Sequence, residues 1–164
     1  MLPKISVLMS VYKKENPEYL RASLESVLVQ TRTADEILLI EDGPLTQELY
    51  QVVAEYQKKC DYLHVHAMEQ NVQLGRALAK GVELCQYDLI ARMDTDDIAM
   101  PDRLEKEEAY MEAHPEVDVV GGAIREFNDE GTIDRVKNMP KTQEEILELS
   151  LIHISEPTRH SLIS

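Results

Sequence analysis

Three carboxylates within four positions, Asp94, Asp96 and Asp97, are the residues of this sequence best suited to chemistry. Like charges this close repel one another, and the repulsion grows as water is excluded. Solvent or a cation must therefore offset it. Carboxylate oxygens on a short segment suit a hard divalent ion such as Mg²⁺ or Mn²⁺. The cluster therefore predicts a metal site that holds a phosphorylated ligand, and an exposed acidic turn before a helix that starts near Pro101 is the alternative.

The acids directly follow an apolar stretch at residues 87–90, which is typical of a buried strand. In an open α/β sheet, ligands bind outside the carboxyl ends of the strands. Two further polar segments also follow predicted strands, one beginning at Tyr12 and the other containing Asp42. We therefore expect three polar segments along a single edge of the sheet.

Strand and helix patterns alternate along the chain. Strands are predicted at residues 4–11, 35–40, 62–67, 89–93 and 117–120, the last resuming at 123–127 before a turn at 128–131, and helices at 18–30, 46–59, 71–84 and 101–113. This alternation implies an α/β fold, with a mostly parallel sheet and helices on both of its faces.

Three residues near these segments have both a functional and a structural interpretation. Asp42 could accept hydrogen bonds from a nucleotide base or from a sugar hydroxyl, or it could cap the helix that follows. Arg76, in the first turns of a helix, could contact a phosphate, or the helix could pack closely through Gly75 with Arg76 on the surface. Arg92 could pair with Asp94 or reach a phosphate. The residues alone leave these alternatives open.

Charge and composition exclude several classes of protein. The sequence of 164 residues carries 31 acidic and 17 basic residues, a net charge of −14. A nucleic-acid-binding protein would need a basic face, so we expect no nucleic acid as partner. The N-terminus has no signal-peptide pattern, and no apolar run approaches the roughly 20 residues that span a bilayer. We therefore expect a cytoplasmic protein.

Several motifs, in this order and at this spacing, resemble the inverting glycosyltransferases of family 2, which have the Rossmann-like GT-A fold. They are VLMSVY at residues 7–12, LESVLVQT at 24–31, IEDG at 40–43, NVQLGRALAKG at 71–81, ARMDTDD at 91–97 and PDRL at 101–104. The resemblance covers residues 4 to about 140. It implies that a nucleotide sugar binds at the edge of the sheet already described.

The resemblance also assigns roles to the candidate residues. Tyr12 matches a position that lines the nucleotide pocket, Asp42 matches the acid that recognises the base (usually uracil), and Arg76 lies in the motif that flanks the nucleotide. Asp94 and Asp96 match the D-x-D motif of the family. Asp96 would then coordinate the Mn²⁺ or Mg²⁺ that bridges the two phosphates.

For the other acids of the cluster, the resemblance implies that Asp94 faces the ribose or a water on the metal. Asp97 would contact the sugar or support a metal ligand. The predicted reaction transfers a sugar from a nucleotide-diphosphate donor, expected to be UDP-linked, to a glycan or lipid-linked acceptor with inversion of configuration. A lipid-linked acceptor would bring the protein to the inner face of the membrane as a peripheral protein.

Two other functions compete with this one. A nucleotidyltransferase would need a glycine-rich loop after the first strand, and residues 12–17 contain no glycine. The second alternative is a non-catalytic α/β binding module whose acid cluster is a solvated turn.

The boundaries of the fold are also predicted. We expect residues 1–148 to form a partial GT-A domain. Residues 149–164 resemble an in-frame translation of a DNA-library adapter and are expected to be non-native. In enzymes of the family the general base is a carboxylate on a later segment, so no catalytic residue is assigned. The chain is expected to bind donor but to turn over little or not at all.

Overall fold

The computed structural model of the chain describes residues 3–127, 133–137, 142, 144 and 145. Its elements in chain order are β1 (Ile5–Val11), α1 (Pro17–Leu28), β2 (Glu36–Glu41), α2 (Gln47–Lys59), β3 (Leu63–Ala67), α3 (Leu74–Leu84), β4 (Leu89–Asp94), α4 (Arg103–Ala113), β5 (Ile124–Phe127) and β6 (Ile133–Lys137). The predicted alternation of strand and helix is confirmed as far as α4. The turn predicted at residues 128–131 and the tail predicted at 149–164 lie outside the described residues.

β1 to β4 form a parallel sheet in the order β3-β2-β1-β4. The chain first builds the sheet in one direction, from β1 through β2 to β3, and then returns to place β4 on the other side of β1. This reversal beside β1 is a topological switch point, where open α/β sheets leave a crevice for a ligand. The predicted α/β fold with a parallel sheet is confirmed.

The core lies on both faces of this sheet. The larger cluster packs alternate strand residues such as Met9 and Leu39 against α1 and α2, and the smaller one packs Leu8 and Ile40 against α3. A Cβ at Gly81 would lie 2.3 Å from Leu8 Cδ1, so a glycine there lets α3 approach the sheet closely. Gly75, which the sequence offered for that close packing, has open space around its Cα.

The chain forms two compact units, Met1–Ala109 and Tyr110–Ser164. In the second unit, β5 and β6 pair as antiparallel strands, with Arg125 opposite Val136. The predicted strand at residues 117–120 was wrong, because these described residues form no strand and Val119 is 85% exposed. The apolar residues of that segment match a strand pattern. A strand also needs burial and pairing with a neighbouring strand, and the described residues of this segment lack both.

Candidate functional site

The carboxyl ends of β1, β2 and β4 bring three of the predicted segments together. In the register of the sheet, Val11 lies beside Glu41 and Ser10 lies beside Asp94. The backbone N–H of Asp42 donates to the carbonyl oxygen of Val11 at 2.8 Å. Tyr12, Asp42 and Asp94 therefore lie along one edge of the sheet, and Tyr12 directly follows β1 while Asp94 ends β4, the two strands that flank the switch point.

Asp42 is buried and holds the loop that leads into α3. Its Oδ1 accepts the backbone N–H of Val72 at 2.6 Å, and its Oδ2 accepts the side-chain amide of Asn71 at 2.9 Å. The alternative in which Asp42 caps the following helix was wrong. Thr46 caps α2, because its Oγ1 accepts the backbone N–H of Leu49 at 3.4 Å.

Two residues with positive φ lie where the loop before α3 contacts the end of β2 or enters the helix. Gly43 has φ +84°, and a Cβ there would lie 2.5 Å from the backbone nitrogen of Asn71, so only glycine fits without a shift. Gln73, the N-cap of α3, has φ 74° and ψ 151°, a region that is otherwise almost confined to glycine. Strained backbone of this kind clusters at ligand sites, so the entry into α3 belongs to the candidate site.

Arg76 is exposed in the first turn of α3. The loop before that helix is the one that Asp42 holds, and Arg76 follows Val72, which donates to Asp42, by four residues. The position suits either interpretation of Arg76, as a phosphate ligand or as a surface residue.

Asp94 is the last residue of β4, and its side chain is 15% exposed. The Nη2 of Arg92 donates to both of its carboxylate oxygens, at 2.5 and 2.6 Å. Burial raises the pKa of Asp94 above its ordinary value, and the Arg92 guanidinium opposes that rise. Of the two roles predicted for Arg92, the structure contains the pairing with Asp94.

The other two acids lie in the turn after β4. The backbone N–H of Asp97 donates to the carbonyl oxygen of Asp94 at 3.3 Å, and Asp96, between them, is exposed. Among the residues that the structure describes, no group of three or more His, Cys, Asp and Glu side chains could hold a metal ion. Mg²⁺ in phosphate-transfer sites takes only one or two carboxylates and completes its shell with phosphates and water. Asp94 and Asp96 offer that number of carboxylates in this segment.

Sequence reasoning missed the side chains that fix this turn. Thr95 is buried, and its Oγ1 lies 2.8 Å from a carboxylate oxygen of Glu15, in the loop after β1, and 3.3 Å from the carbonyl oxygen of Ser10. Ser23 of α1 donates to the carbonyl oxygen of Asp94 at 2.9 Å. The sequence feature that could have indicated these contacts is the pair of polar residues, Ser23 and Ser26, on the otherwise apolar face of α1.

The family model named Glycosyl transferase family 2 matches residues 6–162 of the chain. The chain belongs to glycosyltransferase family 2. The predicted family is therefore confirmed, and residues 94–96, Asp42 and the loop that opens α3 lie at the edge of the sheet where open α/β folds bind ligands.

Curated relatives agree with that assignment. An uncharacterized glycosyltransferase of Haemophilus influenzae is 47% identical over 148 residues, which are 90% of this chain and 55% of that protein. The UDP-Gal:alpha-D-GlcNAc-diphosphoundecaprenol beta-1,3-galactosyltransferase of Escherichia coli is 35% identical over 140 residues, 82% of this chain and 50% of that protein. The chain spans about half the length of the curated relatives that it matches.

Solved structures confirm the GT-A type of fold. Residues 1–349 of S. aureus TarS, in complex with UDP-GlcNAc, align with a TM-score of 0.60 and 23% identity over 68% of this chain and 32% of that chain. The mannosyltransferase PcManGT from Pyrobaculum calidifontis, in complex with GDP-Man and Mn²⁺, aligns with a TM-score of 0.61 and 14% identity over 68% of this chain and 33% of that chain. Within the described part of this chain, none of the helices has the length and apolar character to cross a membrane.

Proposed function

We propose that the complete protein transfers a sugar from a nucleotide-diphosphate donor to an acceptor hydroxyl, and that the carboxyl edge of the sheet binds the donor. The observation that carries the proposal is the meeting of Tyr12, Asp42 and the D-x-D segment at the switch point, in a chain of family 2. Tyr12 is 43% exposed, so its ring is available to a ligand at that edge.

Asp42 and Arg76 would bind the nucleotide. Both oxygens of Asp42 already accept one hydrogen bond each, from the loop before α3. A carboxylate has about four lone-pair sites, so Asp42 keeps acceptor capacity for an N–H of a base. Because the loop contacts hold the carboxylate in one orientation, base recognition would need little reordering. Arg76 would add positive charge beside the phosphates.

Asp96 and Asp94 would hold Mn²⁺ or Mg²⁺, and Asp97 would contact the sugar or support a metal ligand. Asp96 is exposed and lies outside any hydrogen bond or ion pair with the residues that the structure describes, so its carboxylate is open to an ion. A divalent ion bound there supplies positive charge that offsets the charge of a departing diphosphate. Arg92 holds the Asp94 carboxylate in place and would contribute further positive charge near the phosphates.

The donor is proposed to be UDP-linked and the acceptor a glycan or a lipid-linked glycan. The support is the printed chemistry of similar proteins, a UDP-Gal donor and a diphosphoundecaprenol acceptor in one and UDP-GlcNAc in another. A lipid-linked acceptor would place the protein at the cytoplasmic face of a membrane. The general base, a carboxylate that would deprotonate the acceptor hydroxyl, remains unassigned.

Thermal unfolding of the chain with UDP, with and without Mn²⁺, tests the donor site. A ligand that binds only the folded state stabilises it by about 2.7 kcal/mol at roughly 100-fold over its dissociation constant. We expect the midpoint to rise only when UDP and Mn²⁺ are both present. Asp96→Ala should abolish that rise.

The matched control is Asp61→Ala, which removes an exposed carboxylate just before β3, at the amino edge of the sheet. It should keep the full rise with UDP and Mn²⁺. A wild-type midpoint that neither ligand moves, or an Asp96→Ala midpoint that still rises, would sink the proposed donor site.

A further inference from the structure

Three polar side chains of α1 and the loop directly after it are buried although their neighbours form an apolar core. Ser23, Ser26 and Gln30 are 0%, 7% and 6% exposed. Ser23 and Ser26 are three residues apart and share one side of α1, and Gln30 follows the helix by two residues. Each has a hydrogen bond to the backbone of residues 94–104, the segment that carries the acids.

Ser23 and Ser26 contact the first part of this segment. The hydroxyl of Ser23 donates to the carbonyl oxygen of Asp94 at 2.9 Å. The hydroxyl of Ser26 accepts the backbone N–H of Ala99 at 3.0 Å and donates to the carbonyl oxygen of Ser23 at 2.7 Å. The two serines therefore hold the backbone on both sides of Asp96.

Gln30 contacts the second part of the segment. Its Nε2 donates to the carbonyl oxygens of Met100 and Ser26 at 2.8 and 2.9 Å. Its Oε1 accepts the backbone N–H of Leu104, near the start of α4, at 3.1 Å. One side chain thus ties α1 to both the end of the acidic segment and the helix that follows.

These contacts specify geometry more than they add stability. Burying a polar side chain lowers stability unless each of its polar groups has a hydrogen-bond partner, and hydrogen bonds are directional, whereas the hydrophobic effect is not. A chain that only needed to cover the sheet could have used apolar residues at these positions, as it does at Leu24 and Val27. Hydrogen bonds to four backbone groups of one segment restrict the arrangements that the segment can take.

We propose that Ser23, Ser26 and Gln30 are positioning residues for the acids at Asp94 and Asp96, acting through the backbone of residues 94–104. The proposal rests on the proposed function, because the positioned acids are those assigned to the metal and the donor. In this proposal the three side chains do not themselves contact the metal or the donor.

Residue-resolved hydrogen exchange on the full chain tests the positioning without any ligand. Ser26→Ala removes the acceptor of the Ala99 N–H. A net hydrogen bond contributes about 0.5–1.5 kcal/mol, so we expect the Ala99 amide to exchange roughly three- to tenfold faster. Ser26→Cys, which keeps a weak acceptor at that position, should give a smaller change of the same sign and covers the case in which the alanine variant does not fold.

Binding of UDP at increasing Mn²⁺ concentration tests the consequence. Ser23→Ala and Ser26→Ala should raise the Mn²⁺ concentration at half-saturation by roughly three- to tenfold, by the same arithmetic. The control is Ser6→Ala at the opposite end of the sheet. Ser6 is also 0% exposed, and its hydroxyl donates to Glu36 at 2.5 Å and accepts the Tyr87 N–H at 3.3 Å. That variant should lose stability and leave the half-saturating Mn²⁺ concentration unchanged.

The two experiments separate the two proposals. An Ala99 amide that exchanges equally fast in Ser26→Ala and wild type would overturn the positioning role, and so would an unchanged Mn²⁺ dependence of Ser23→Ala and Ser26→Ala. A wild type that binds no UDP at any Mn²⁺ concentration would instead overturn the proposed function.

Discussion

The two ends of the parallel sheet both carry buried acids, but they use them differently. At the amino edge, Oε2 of Glu36 accepts the hydroxyl of Ser6 at 2.5 Å and the backbone N–H of Gln86 at 2.8 Å. Asp35 accepts the backbone N–H of Ile5 at 3.0 Å and a guanidinium N–H of Arg32 at 2.8 Å. These acids are engaged by donors from within the fold.

Arg32 extends this closed network to α4. Its Nε lies 3.2 Å from a carboxylate oxygen of Glu108, whose side chain is 7% exposed, and its other nitrogens donate to Asp35 and to the carbonyl oxygens of Pro3 and Thr33. One cation therefore joins the N-terminus, the loop before β2 and α4. The amino edge is a structural site.

At the carboxyl edge the acids differ in how far they are paired, because Asp42 and Asp94 accept hydrogen bonds on both oxygens whereas Asp96 accepts none from the described residues. Asp96 is exposed, Asp94 keeps a pKa raised by burial in spite of Arg92, and burial also raises the pKa of Glu41 at the end of β2. An exposed carboxylate that has no donor among the described residues, as at Asp96, is open to an external cation. The comparison separates acids whose partners all lie within the fold, such as Glu36, from an acid that is left open to solvent.

The largest effect is expected from a substitution that disrupts the ion-pair network at the amino edge. Arg32→Ala leaves Glu108 and Asp35 without their shared cation, and removing one partner of a buried ion pair costs about 3 kcal/mol or more. Urea unfolding should show that loss, while the protein that remains folded should bind UDP with Mn²⁺ as wild type does. Arg21→Ala is the control, because Arg21 pairs with Glu55 on the surface and should matter less. A loss no larger for Arg32→Ala than for Arg21→Ala would contradict the structural role of the network.

The next effect concerns the carboxyl edge. Gly43→Ala places a Cβ against the backbone of Asn71 at a positive φ, which should lower the free energy of unfolding by about 2 kcal/mol. It should also weaken UDP binding, because it displaces the loop that Asp42 holds. Gly75→Ala, in α3 with open space around it, should instead stabilise by about 0.5–1 kcal/mol. Equal effects of the two substitutions on urea unfolding would argue against the close contact at Gly43.

The smallest expected effects are on the pH dependence of stability, which should differ in sign between the acids of the two edges. Burial by itself would raise the pKa of Asp35. The hydrogen bond from the Ile5 N–H and the charge of the Arg32 guanidinium outweigh that contribution, so the pKa of Asp35 is lowered in the folded protein. The stabilisation by Asp35 is therefore complete above its ordinary pKa and is lost as the pH falls. Asp35→Asn should destabilise the chain at pH 7 and progressively less in acid.

Glu41 should show the opposite sign. Because burial raises its pKa in the fold, the folded protein binds more protons than the unfolded chain above the ordinary pKa of a glutamate. Stability then falls as the pH rises through that window. Glu41→Gln should stabilise the chain at pH 7, with the gain disappearing in acid. Thermal midpoints of both variants between pH 3 and pH 8 would test the contrast, and slopes of the same sign would refute it.

Local patterns in the sequence were enough to predict the sheet and to place Tyr12, Asp42 and Asp94 at one edge. This worked because alternating strands and helices impose parallel strands, whose carboxyl ends converge. The motifs also identified the family, which the family model confirmed. The strand predicted at residues 117–120 failed because strand formation depends on burial that the local pattern does not contain.

Only the tertiary structure decided which partner each polar group takes. The contacts of Ser23 with Asp94, Ser26 with Ala99 and Gln30 with Leu104 join residues 71, 73 and 74 positions apart. Likewise, Gly81 rather than Gly75 is the glycine that lets α3 approach the sheet. A sequence pattern records the periodicity of each element, but hydrogen bonds and close contacts across the fold depend on how the elements are brought together, which the packing of the whole core determines.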